Sequence, residues 1–167
     1  MTLSRPVYAH DLPLSCLKTG EALITVTLRL LAGQWRESGD DYPNWRQGLQ
    51  ASGLSPWAIA AFESLFEIVV AARRHPLDVR DLHCPRLGSD ERRFIEIISL
   101  FQHGRSEQAE GILRGWLPAA AFRLAAYPAA SLASALQQAD LLIPLRGVVA
   151  SVNGHQLSAN RSWMWMQ

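Results

Sequence analysis

The stretch LSPWAIAAFESLFEIVVAARRHP, residues 54–76, decides the fold. Ser55 is a good N-cap, and Pro56 stands in the first turn, where its missing N–H costs nothing. Ile59, Phe62, Phe66 and Val69 recur at three- and four-residue spacing, and Ala58, Leu65 and Val70 widen the stripe. Arg73 and Arg74 suit the negative end of a helix dipole, and Pro76 forbids continuation. A helix this apolar around its circumference is expected to be central and buried.

Its neighbours are helical too. In SDERRFIEIISLFQHG, residues 89–104, Ser89 is the expected cap, and Asp90 and Glu91 put negative charge at the positive end. Phe94, Ile97, Ile98 and Phe101 point one way, and Gly104 stops the helix. Ser106 is expected to cap the next helix after a turn of about two residues. Upstream, a helix is expected over 19–37, with Leu23, Val26, Leu30 and Gln34 on one stripe and Ile24, Leu28, Leu31 and Trp35 on a second. Asp41 is the expected cap of a short helix ended by Gly53. The alanine-rich segment 118–142 reads as helical on both sides of Pro128. Beyond it, Asn153-Gly154 between short β-branched or apolar stretches is a hairpin signal, and SWMWM alternates like a further strand.

These readings predict an all-α protein. It is a single compact bundle of about six helices around the 57–74 and 90–102 pair, with a small C-terminal β-hairpin or strand. Residues 1–141 form the helical domain, opening with an arm over 1–14, and 142–167 form a tail. No repeat with a period of roughly 30–45 residues is present, which argues against a solenoid.

Composition narrows the function classes. Apolar residues make up 49% of the 167 and charged residues 19%, too apolar for disorder. The apolar runs are too short for a membrane span, and no signal-type apolar run follows the N-terminal charge, so a cytoplasmic protein with no membrane partner is expected. Two distant cysteines, Cys16 and Cys84, read as reduced thiols. A formal net charge of +1 disfavours a nucleic-acid binder.

HCPRLGSDERR, residues 83–93, poses the sharpest chemical question. Cys84-Pro85 resembles the short haem-regulatory dipeptide, in which a thiolate ligates iron. With His83 and His103, Cys84 is the candidate haem or metal ligand set, although zinc-type spacing is absent. The simpler reading is a helix approach: Cys84 a small buried hydrophobe, Pro85 extending the chain, Leu87 packing near the first turn. No nucleophile elbow, phosphate loop or dinucleotide loop occurs, which leans away from an enzyme.

Two features point to partners instead. Arg73, Arg74, Arg80, Arg86, Arg92 and Arg93 gather around the crossover, interleaved with Asp78, Asp81, Asp90 and Glu91. Trp163, Met164, Trp165 and Met166 put four large apolar side chains near the end of the sequence. The expected function is a non-enzymatic accessory, adaptor or regulatory protein. It would bind another protein, or a second copy, through Trp163, Met164, Trp165 and Met166 and through Arg73, Arg74, Arg92 and Arg93. A haem-, metal- or small-molecule-responsive regulator using Cys84 with His83 or His103 comes second. A winged-helix-like DNA-binding regulator comes third.

Overall fold

The computed structural model describes residues 12–37 and 43–146, and over them the protein is all-α. After a 3-10 turn at Leu14–Cys16 come α1 (Thr19–Glu37), α2 (Trp45–Ala51), α3 (Pro56–Ala72), α4 (Ser89–Gln102), α5 (Ser106–Trp116) and α6 (Ala119–Gln138). The six-helix expectation holds. The expected hairpin at Asn153-Gly154, the Trp163–Met166 cluster, most of the arm and Asp41 lie outside the described residues.

Local signals set the helix ends, with instructive shifts. Ser55 caps α3, its hydroxyl accepting from the Ala58 N–H at 3.3 Å. The cap of α2 is Asn44, not Asp41, with Oδ1 accepting from the Arg46 N–H at 3.0 Å. Ser89 and Ser106 are the first helical residues, so Gly88 and Arg105 hold the cap positions instead. At α4 two acids replace the expected serine cap. Glu91 accepts from the Gly88 N–H at 2.6 Å, and Asp78 accepts from the Ser89 N–H at 2.7 Å. At their C-terminal ends, α4 and α6 close in the same way. Gly104 and Asp140 adopt left-handed φ of 70° and 59°, and the next residue's N–H bonds back to Leu100 O and Leu136 O at 2.8 Å each.

Packing differs from the expected centre. α6 lies along α3, α4 and α5, while α4 also contacts α1. α3 and α4 meet through Phe62 and Phe94, whose ring centroids are 6.3 Å apart, in an aromatic series from Trp45 to Trp116. The most enclosed helix is α4, which buries Phe94, Ile95, Ile97, Ile98 and Leu100 along with Asp90, Glu91 and Ser99. α3 buries its expected face but leaves Trp57 86% exposed, so it is not wholly interior.

Residues 141–146 carry no helix yet bond to the helical body. The Gln102 amide accepts from the Ile143 N–H at 2.8 Å and donates to Leu141 O at 3.1 Å. Ser99 donates to the carbonyls of Ile143 or Pro144, and the Ile143 side chain is fully buried. Arg146 then grips Glu21, with Nε and Nη2 at 2.7 and 2.8 Å from its two oxygens.

Candidate functional site

The His83-Cys84-Pro85 crossover is held by a buried ion pair. Arg29, inside α1, donates from Nε and Nη2 to the Glu91 carboxylate at 2.7 and 3.0 Å, and both side chains are at most 1% exposed. The same guanidinium donates to Cys84 O at 2.6 Å and to Arg86 O at 2.8 Å. Glu91 completes its set with the N–H groups of Arg80 and Gly88. A planar, five-donor fork suits this job, because it satisfies a carboxylate and two carbonyls from one plane. The elbow is therefore a structural clasp between α1, the crossover and α4. Leu14 N–H adds a strand-like bond to Pro85 O at 2.9 Å.

A second acid pair locks the same junction. Asp78 accepts from the Ser89 N–H, and Asp90 accepts in return from the Asp78 N–H, both at 2.7 Å. Burial raises the Asp78 pKa, but hydrogen bonds from Ser89 and the charges of Arg80 and Arg92 outweigh it and hold the carboxyl below its usual range. Gly88 is required by this approach. A Cβ there would overlap the Asp78 carbonyl oxygen and lie 3.0 Å from its carbon.

Of the candidate metal or haem residues, Cys84 and His103 lie apart. His103 caps the C-terminal end of α4 and contacts Ser99 O through Nδ1, whereas Cys84 lies at the helix's opposite end. Fourteen residues of helix separate the two ends, about 21 Å. His83 is exposed and Cys84 half-buried, and no group of three or more His, Cys, Asp or Glu side chains is placed to hold a metal among the described residues.

The expected arginine surface is divided. Arg93 pairs with Asp90 at 2.6 Å and lies near the Trp116 ring, and Arg80 pairs with Asp78 at 3.0 Å. Arg92 is half-buried. Arg73 and Arg74 are exposed at the end of α3, where Arg73 donates to Val70 O of its own helix. Arg73 also edges a cleft of ≈ 280 Å³ with Trp35, Arg36, Phe66 and Leu77. Interleaved acids consume much of the positive charge, as the sequence suggested.

The feature that sequence reading missed is the outer side of α3 and α6. Trp57, Tyr127 and Leu124 are 86%, 81% and 66% exposed. Between them lie two adjoining hollows of ≈ 540 and ≈ 480 Å³, floored by small residues such as Ala60, Ala61, Ser64, Ser131 and Ser134. Among the described residues no charged side chain lines either hollow. Trp35, on the second apolar stripe of α1, is likewise 54% exposed beside Phe66. The available signal was the two-sided apolarity of residues 57–71, which marks a helix needing cover on both sides.

No protein-family model, curated protein or solved structure matches the chain. Among the described residues no helix is long and apolar enough to cross a membrane.

Proposed function

We propose that this protein is a non-enzymatic accessory or adaptor module, cytoplasmic, that works by binding protein on the outer face of α3 and α6. One observation carries the reading: a grooved face whose hollows have no charged lining among the described residues, with Trp57 and Tyr127 almost fully exposed. Exposed aromatics beside small-residue hollows resemble the anchor-and-pocket make-up of interface hot spots. Left in water, Trp57, Tyr127 and Leu124 carry a hydrophobic cost of several kcal/mol, at about 1.5–3 kcal/mol per side chain buried. Arg74, exposed just past the end of α3, supplies positive charge for an acidic rim. Two free thiols, Cys16 and Cys84, suit a reducing compartment.

The test is capture by the immobilised full chain, compared with the Trp57→Ser/Tyr127→Ser double variant. Both positions are exposed, so the variant folds. The wild type retains a protein that the variant loses; equal capture by both refutes the reading.

A further inference from the structure

We infer that the protein bound on the α3–α6 face is a second copy of this chain, in a two-fold dimer. This rests on the reading of that face as a protein-binding surface and names its partner. The geometry of the face is self-complementary. α3 and α6 run antiparallel: Ser55 and Ala58 line one hollow with Ser134, Ala135 and Gln138, whereas Ile68 lines the other with Leu124. A two-fold axis parallel to the helices lays α3 of one copy on α6 of the other, level by level. The large side chain at the start of α3, Trp57, then meets the small Ser131–Ser134–Ala135 stretch of α6. The large side chains Leu124 and Tyr127 of α6 meet Ala61 and Ser64 of α3. Knobs and hollows thus occur on one patch in complementary positions, as an isologous contact requires.

Charge agrees with this pairing. Among the described residues the floor is uncharged, so two copies meet there without like-charge repulsion. Glu67 and Arg123 are exposed beside Ile68 and Leu124, at the same level of the antiparallel pair. The axis therefore brings Glu67 of each copy over Arg123 of the other, two ion pairs per dimer. Size sets the strength. Helices of 17 and 20 residues present a face of about 25 by 20 Å, so a pair buries about 1,000 Å² or somewhat more, the lower end for a specific contact. The dimer is weak and depends on concentration.

The experiment is sedimentation of the full chain under reducing conditions over about 1–200 µM, which brackets a weak specific dimer. The mass rises from 18.6 kDa towards twice that value. Tyr127→Glu weakens association by roughly 30-fold or more. Glu67→Arg and Arg123→Glu each weaken it by roughly two- to fivefold, and together they restore it. Circular dichroism of each variant confirms that it is folded. A photo-crosslinking residue at position 127, used in the producing cell, separates this inference from the broader reading. A crosslink to the same chain supports the dimer. A crosslink solely to a different protein overturns the dimer and leaves the protein-binding reading standing, and no crosslink with a monomer throughout overturns both.

Discussion

Replacing Arg29 by leucine tests whether the crossover is held by the clasp described above. The substitution strands the Glu91 carboxylate, fully buried, and removes the donors serving Cys84 O and Arg86 O. Glu91 keeps its bonds from the Gly88 and Arg80 N–H groups but loses its only counter-charge among the contacts above. Breaking a buried pair from one side costs about 3–5 kcal/mol, because the remaining charge stays desolvated. For a chain this size that is a drop of roughly 6–20 °C in Tm, a large share of a typical 5–15 kcal/mol stability. Arg29→Lys falls between, since an ammonium keeps the charge but cannot fork to the carboxylate and both carbonyls. Urea unfolding followed by circular dichroism measures the loss. Thiol labelling locates it: half-buried Cys84 gains reactivity in folded Arg29→Leu, while exposed Cys16 is unchanged as the internal control. A midpoint shift worth less than about 0.5 kcal/mol, with unaltered Cys84 labelling, would refute the assignment of Arg29 as the clasp.

Gly88→Ala forces the crossover away from α4, because its Cβ has no room beside the Asp78 carbonyl; a loss of about 1–3 kcal/mol or more is expected by urea titration. Asp140→Gly relieves a left-handed residue that is exposed at the end of α6, and raises stability by about 0.5–1 kcal/mol in the same assay. Burial raises the Glu96 pKa in the folded protein, against a smaller opposing pull from Arg92, so the folded state holds its proton more tightly than the unfolded chain. Its burial therefore costs stability as pH rises through the folded pKa. Glu96→Gln raises Tm at pH 7 relative to wild type and loses that advantage below the ordinary glutamate range, as a thermal-melt series across pH will read.

Helix number and placement were legible in the sequence because their causes are local. The 3.6-residue period, Ser55-Pro56, and the stops at Gly53 and Gly104 all act within one turn. The errors at the caps also have a local origin in part. Ser89 looked like a cap, but Asp78, eleven residues away, took its N–H, and Glu91 reached back to Gly88. Arg29 carries a local signal: it is the sole charge in the run from Ala22 to Gly33. An isolated charge in such a run calls for a buried partner, but nothing in the run names Glu91, 62 residues on. Arg146 and Glu21 are 125 residues apart, and their pairing draws residues 141–146 into the body.

The sequence by itself determined that the protein is helical, where most helices lie, and that residues 57–71 are apolar on more than one side. Only the tertiary structure decided which of those sides the chain covers for itself. Periodicity records how much of a helix avoids water, and it carries no information about which neighbour excludes that water. That choice depends on contacts between distant segments. Here α6 took the inner side of α3, and Trp57 was left facing outward.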